Sequence, residues 1–319
     1  MRVLVTGGTG LVGSAIQSVV AEAAESHQLD LQLIYVGSKD VDLRRLESVK
    51  RLLEIHAPLD GIIHLAANVG GLFKNMQHPV EMMQDNLLMN TNVLIAAHDA
   101  NINNVLSCLS TCIFPDNVNV NGNDILTADM LHDGPPHHSN EGYAYSKRMV
   151  EVLSRAYQRQ HGRRYFCVVP TNIYGPNDNF NLEDAHVIPA LIHKCWLSKA
   201  EGSPFVVAGD GSPLRQFVYS EDLAKCILWA YKEYQDISTP LIVCPPDAEI
   251  SISCVVSRIV DAIEFRGSVV YDTSKPNGQA KKTAEAAICK YLPSFEWTSL
   301  DEGISKTCQW FVSSPNKRI

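Results

Sequence analysis

The segment Thr6-Gly7-Gly8-Thr9-Gly10-Leu11-Val12-Gly13 directly follows a short β-branched run, residues 3–6, and opens a helical pattern. Glycines also serve ordinary turns, but a strand before them and a helix after them is the setting a dinucleotide-binding first turn requires. Gly7 allows the tight turn, Gly10 lets the backbone approach a pyrophosphate, and Gly13 lets helix and strand pack closely. The helix N-terminus adds free N–H groups and a positive dipole end for the phosphates. Gly8, Thr9, Leu11 and Val12 therefore join these three glycines as candidate cofactor contacts.

The rest of the first half continues the alternation. Strand-like runs at residues 31–36, 61–65 and 105–110 alternate with helical patterns at 43–55 and 79–100, and a helix at 141–161 precedes the apolar run 165–170. Such alternation predicts a parallel sheet with right-handed crossovers, its strands buried on both faces. After Thr171 the pattern loosens, with a helix at 187–199 and short strands at 205–207 and 268–271. The expected fold is α/β: a Rossmann-type doubly wound parallel sheet with a smaller interleaved C-terminal α/β domain. Residues 1–175 form the nucleotide domain, to which about 215–235 return, and 176–319 form the substrate domain. A length of 319 residues suits that division.

Acidic residues outnumber basic ones, 35 to 27, and no long Lys/Arg run occurs, which argues against nucleic acid or an anionic membrane as partner. Nine cysteines without a Cys-x-x-Cys pair, and no apolar leader before the first strand, point to the reducing cytoplasm. Cys108, Cys167, Cys195, Cys226, Cys244, Cys254, Cys289 and Cys308 are expected as small buried apolar groups. Cys112 stands apart from them.

The second strand ends at Gly37-Ser38-Lys39, with no Asp or Glu to bind a ribose 2′-hydroxyl, so NADP(H) is expected rather than NAD. Ser38 and Lys39 suit a 2′-phosphate, although Lys39 alone equally suits a solvated turn. Asp40 and Asp42 fit either helix capping or, for Asp42, an adenine contact. His64 reads as a packed structural histidine.

Tyr143 and Lys147 lie four apart on the helix at 141–161 and so share one face. A phenol of ordinary pKa about 10 needs a neighbouring cation to work near neutrality, and Lys147 is that cation. Ser110, at a strand end, can hold a substrate oxygen for Tyr143. Tyr145 is the competing phenol, on another face.

Together, Thr6–Gly13, Ser110, Tyr143, Lys147 and Asn172-Ile173-Tyr174-Gly175-Pro176 resemble the extended short-chain dehydrogenase/reductase family over essentially the whole chain. The resemblance implies that Pro170, Thr171, Asn172 and Ile173 meet the nicotinamide end of the cofactor and that the protein is a homodimer. Dehydratases of that family carry Asp-Glu where Cys112-Ile113 stands here, and simple 4-epimerases need no thiol there. Four strings, Ser110-Thr111-Cys112-Ile113-Phe114-Pro115, Asn68-Val69-Gly70-Gly71-Leu72-Phe73, Asn177-Asp178-Asn179-Phe180 and His186-Val187-Ile188-Pro189, are instead similar to its 3,5-epimerase/4-reductase branch.

That branch implies GDP-4-keto-6-deoxy-D-mannose as substrate, Cys112 as the base and His186 as the acid of epimerisation, with His186 also among the cofactor contacts. A C4 ketone acidifies both C3–H and C5–H, so one base and one acid on opposite faces suffice for two inversions. From the residues alone, Cys112 would be an apolar filler and His186 a helix-start histidine. The resemblance further points to Lys194, Arg215 and Lys282 for the GDP end. Ala208 stands where Trp is common and Asn277 where Asp is expected, which bears on nucleotide preference. Another NDP-sugar epimerase or reductase, or a non-catalytic NADP-binding regulator, are the competing readings.

Overall fold

The computed structural model describes residues 1–25, 30–116, 125–246, 249–275 and 283–314. In chain order the elements are β1 (Arg2–Thr6), α1 (Leu11–Glu25), β2 (Gln32–Val36), α2 (Leu46–His56), β3 (Gly61–His64), α3 (Leu72–Gln77), α4 (Pro79–Asp99), β4 (Asn104–Cys108), α5 (Glu141–His161) and β5 (Arg164–Pro170). Then follow β6 (Asn172–Tyr174), α6 (Val187–Glu201), β7 (Phe205–Ala208), β8 (Leu214–Tyr219), α7 (Ser220–Glu233), β9 (Leu241–Val243), β10 (Glu249–Ser251), α8 (Ile252–Ile263), β11 (Val269–Asp272) and α9 (Leu300–Ser313).

Six parallel strands form the main sheet in the order β2-β1-β3-β4-β5-β9. Successive residues of each strand feed opposite cores, as the period of two demands. Leu4, Ile62, Val105, Tyr165 and Cys167 pack on one face with α2, α4 and α5; Val3, Val5, Ile63, Leu106 and Phe166 pack on the other with α1 and α7. Both faces are covered, which is why these strands read as unbroken apolar runs. The order reverses at β1, whose neighbours are β2 and β3, so a ligand crevice opens at the carboxyl ends of these strands.

A third core lies beyond β5. It joins Tyr174 and Phe180 to Leu191 and Ile192 of α6, Phe205 of β7, Val255 of α8 and Phe311 of α9. Two small sheets frame it, β10-β8-β6 and β11-β7. The strand at 216–219, expected to return to the nucleotide domain, instead pairs with β6 and β10. Its side chains divide: Phe217 and Tyr219 enter the third core and Val218 enters the second. The chain re-enters the main sheet through α7, packed on α1, and β9, paired with β5.

Some boundaries also differ from the sequence reading. Residues 172–174, read as loosened chain, form β6 because β8 offers a free edge. The helix expected from residue 43 begins at Leu46, since the preceding loop is tied by Asp40 to the Gly37 N–H and by Asp42 to Arg44. Cys254 is exposed and Cys289 half-buried; the other six cysteines expected in the interior are buried. Among the described residues no helix is long and apolar enough to cross a membrane.

Candidate active site

The glycine loop sits at the switch point. Gly7 has φ of 71°, and a Cβ there would stand 2.7 Å from the Ala66 nitrogen, so the residue must be glycine for the loop to cross the exit of β3. A Cβ on Gly13 would collide with the Gly7 carbonyl oxygen. The Gly8 N–H donates to the Val36 carbonyl at 2.9 Å and the Gly10 N–H to the Gly7 carbonyl at 2.9 Å. Leu11 and Val12 open α1, where helix N–H groups have no partner within the helix.

Thr9 packs over Gly37 at the end of β2, and Ser38 and Lys39 follow as exposed residues of the same turn. Asp42 caps no helix: α2 begins after Arg45 with no side-chain cap, and Asp42 pairs with Arg44 at 2.9 Å. Arg44 also reaches Asp85 at 3.3 Å, which accepts from the Asn68 amide at 3.2 Å. These bonds tie the turn after β2 to the segment leaving β3.

His64 is buried, its Nδ1 2.7 Å from the Thr6 hydroxyl and its Nε2 3.0 Å from the Asn90 side-chain oxygen. Asn90 donates onward to the Ser146 carbonyl at 3.3 Å, so a polar chain links β1 and β3 to α5. Burial, assisted by the charge of Lys147 and opposed by the Asn90 bond, lowers the imidazole to about 4. Between that value and the ordinary 6.5 the unfolded chain binds a proton that the folded one refuses, so stability falls as pH drops through this window. By pH 5 the loss is about 2 kcal/mol at 1.36 kcal/mol per pH unit. Urea midpoints at pH 7 and pH 5 should therefore diverge more for the unaltered protein than for His64→Gln; equal losses would contradict this account.

Helix α5 carries Tyr143 and Lys147 on one face, with the ammonium 5.8 Å from the phenol ring centroid. Lys147 is only 3% exposed and donates to the Cys108 carbonyl at 2.8 Å. The strand expected to reach Ser110 ends at Cys108, and Ser110 instead caps a single 3-10 turn, Thr111–Ile113, by accepting the Cys112 N–H at 3.4 Å. Lys147 thus fastens the strand end from which Ser110 and Cys112 are presented.

Burial pushes the Tyr143 phenol well above its ordinary value, with the charges of Cys112 and Cys108 adding to the rise. Burial likewise lowers Lys147, against the attraction of Cys108, Cys112 and Cys167. The expected lowering of Tyr143 by Lys147 is therefore not what dominates in this structure: desolvation does, and the ammonium is turned to a carbonyl. Tyr145 lies under Arg148, 5.5 Å from its guanidinium carbon, and Lys147 lies over Tyr143 instead.

His186 stands immediately before α6, in the N-cap position, without a side-chain bond to the helix. Its surface is accessible, yet the protein crowded around it holds the imidazole below the usual histidine range, opposed by Asp184. Tyr143 combines partial accessibility with the same crowding, and this combination is what the wall of a cleft produces. The His186 loop is fixed through Asp184: its carbonyl accepts the Gly71 N–H at 2.8 Å, and its carboxylate accepts from Asn179 at 2.7 Å and lies 3.5 Å from Lys74. Three of the four strings singled out in the sequence therefore meet here. Asp184 and Asn90 carried no motif; the bonds of both, and the burial of Asn90, identify them.

Thr171, at the end of β5, has a buried hydroxyl with no hydrogen-bond partner, and its N–H donates to the Val243 carbonyl at 3.3 Å. Pro170 ends β5, while Asn172 and Ile173 lie in β6, where the Asn172 amide donates to the Gln216 carbonyl at 2.8 Å. Lys194 and Ala208 line one cavity of about 400 Å³, with Leu197, Glu201, Asp272 and Lys275. Arg215 is on β8, not on that wall; it donates to the Leu214 carbonyl at 2.7 Å, and burial lowers its pKa. Lys282 and Asn277 lie outside the described residues.

Residues 3–243 match the NAD dependent epimerase/dehydratase family. A GDP-L-fucose synthase of Dictyostelium discoideum is 45% identical over 313 residues, which are 98% of this chain and 95% of the relative. A GDP-L-colitose synthase of Yersinia pseudotuberculosis is 33% identical over 325 residues, 99% of each chain. The crystal structure of a GDP-L-fucose synthetase from Naegleria fowleri bound to NADP matches with a TM-score of 0.90 at 40% identity, over 100% of this chain and 96% of that one. The chain therefore belongs to the NAD dependent epimerase/dehydratase family, within its GDP-L-fucose synthase branch.

Proposed function

We propose that this protein converts GDP-4-keto-6-deoxy-D-mannose to GDP-L-fucose by 3,5-epimerisation followed by NADPH-dependent reduction at C4. The observation that carries the reading is the attachment of the Ser110–Cys112 segment to the helix of Tyr143 and Lys147, through the Lys147 bond to the Cys108 carbonyl. A reductase needs only Ser110, Tyr143 and Lys147. A thiol held in the same place supplies the base for a second reaction.

The Cys112 thiolate takes the proton from C3 or C5, and His186 returns one from the opposite face. Its depressed pKa keeps His186 mostly neutral near pH 7, so it must draw a proton from solvent or a neighbour before each delivery. Ser110 and Tyr143 hold the enolate oxygen. When bound, NADPH supplies the hydride to C4. Tyr143 then protonates the new alkoxide; its raised pKa suits a group that stays protonated until that moment.

The glycine loop and the unpartnered hydroxyl of Thr171 fit a dinucleotide at the switch point, with Ser38 and Lys39 assigned to the 2′-phosphate. Lys194, Arg215 and Lys282 are assigned to the GDP end. Residues 1–175, completed by α7 and β9, serve as the NADP-binding unit, and the third core serves the nucleotide sugar. A homodimer in the cytoplasm is part of the proposal. The paired helices α4 and α5 leave Val80, Met83, Leu88 and Met149 exposed, and a second copy would cover them.

Purified protein mixed with GDP-4-keto-6-deoxymannose and NADPH should consume NADPH and yield GDP-L-fucose, followed by absorbance and by chromatography of the product. No oxidation of NADPH would sink the reading. The Yersinia relative, a synthase of GDP-L-colitose, favours a second reading in which another GDP-4-keto sugar is the substrate. Turnover of such a sugar alone would establish it.

A further inference from the structure

Arg148, the residue after Lys147, carried no motif in the sequence, yet it is 4% exposed. Its Nε donates to the Ile113 carbonyl at 2.6 Å and its Nη1 to the Gly134 carbonyl at 2.8 Å. The third nitrogen, Nη2, is buried and has no hydrogen-bond partner. Among the described residues no carboxylate pairs with this guanidinium; the Tyr145 ring covers it at 5.5 Å. A buried guanidinium without a counter-charge is costly, and arginine cannot escape by losing its proton. Two neighbouring cations of α5 thus grip the two ends of one short segment, Lys147 at Cys108 and Arg148 at Ile113. Cys112 lies between those anchors.

We propose that Arg148 is the positioning residue of the epimerisation base: it clamps the turn carrying Cys112 and holds beside it a buried positive charge that the thiolate completes. The proposal rests on the assignment of Cys112 as that base. Tyr143, Lys147 and Arg148, all on α5, interact electrostatically with Cys112, while Tyr145 acts on Arg148, and Cys108 of β4 and Cys167 of β5 on Lys147. Of these, the two cations favour the thiolate. Lys147 is already committed to the Cys108 carbonyl and to the reduction step, whereas the free Nη2 of Arg148 has no other duty in the structure. When Cys112 gives up its proton the pair becomes neutral; when it takes a proton from C3 or C5 the cation is left uncompensated again, which favours passing that proton on.

The test uses the full chain without sugar. Iodoacetamide alkylation of Cys112, followed by tandem mass spectrometry across pH, reads the thiolate directly. Cys108 serves as a slow internal reference, since burial pushes its thiol up to about 11. In Arg148→Gln the alkylation midpoint is expected to rise by about one pH unit or more, lowering the rate at pH 7 about tenfold. Arg148→Lys keeps the charge and is expected to bring the midpoint back towards that of the unaltered protein. NADPH binding by fluorescence checks that each variant is folded. A midpoint in Arg148→Gln that coincides with the unaltered protein overturns the proposal; if that variant does not fold, a rise of about one unit in Arg148→Lys overturns it instead. Because no nucleotide sugar is involved, these outcomes stand whatever the GDP-sugar assay gives.

Discussion

Replacing Tyr143 by phenylalanine is expected to lower the rate of C4 reduction by about 10²–10⁴-fold, the range removed with a general acid and equal to about 3–5 kcal/mol of barrier. The ring is kept, and Lys147 retains its bond to the Cys108 carbonyl, so NADPH affinity should change only a few-fold. What disappears is the hydroxyl proposed to protonate the alkoxide. Solvent deuterium should still enter C3 or C5 in this variant, more slowly, because the base proposed for exchange is on the Ser110–Cys112 turn and not on α5. Single-turnover NADPH oxidation and mass spectrometry of the recovered sugar read the two steps separately. Reduction at an unaltered rate would transfer the role to another phenol, of which Tyr145 is the nearest in sequence.

The second large effect concerns Cys112→Ser. A serine hydroxyl is far less acidic than a thiol and does not form a usable base near neutrality, so exchange of deuterium into C3 and C5 should drop by about 10²–10⁴-fold. The turn itself should survive, since it is held by the Cys112 backbone N–H on Ser110 and by the Ile113 carbonyl on Arg148, neither of which involves sulfur. Reduction of a ketone already inverted at both centres should therefore persist in this variant. The two substitutions form a crossed pair: one loses hydride transfer and keeps exchange, the other the reverse. Full exchange in both would dismiss the division of labour between α5 and the turn.

The glycine loop and the Tyr143–Lys147 spacing were legible because both are local. A turn that needs positive φ at Gly7, or two side chains four apart on a helix, depends on few neighbours in the chain. Helix α5 was read at its true limits for the same reason. The end of β4 was not legible: residues 109 and 110 are apolar and small enough to continue a strand. The chain leaves the sheet there because Ser110 caps the next turn. The lowering of Tyr143 by Lys147 failed for a related reason, since spacing puts the two side chains together but says nothing of how deeply both are buried.

Burial on both faces of a parallel sheet leaves unbroken apolar runs, and a nucleotide turn leaves its glycines; such demands are written residue by residue, so the sequence by itself determined the α/β architecture, the place of the glycine loop and the helix that carries Tyr143 and Lys147. Long-range pairing leaves no such local mark. The entry of β9 beside β5, the linkage of His64 through Asn90 to Ser146, and the grip of Arg148 on the Cys112 turn join residues 26 to 73 positions apart, and β8 is shared between two cores. Their partners are chosen only when the elements pack, because a buried donor or charge takes whatever group the tertiary structure brings within reach. The sequence marked Cys112 as surplus to a reductase; only the fold set two cations of one helix at the ends of the segment that carries it.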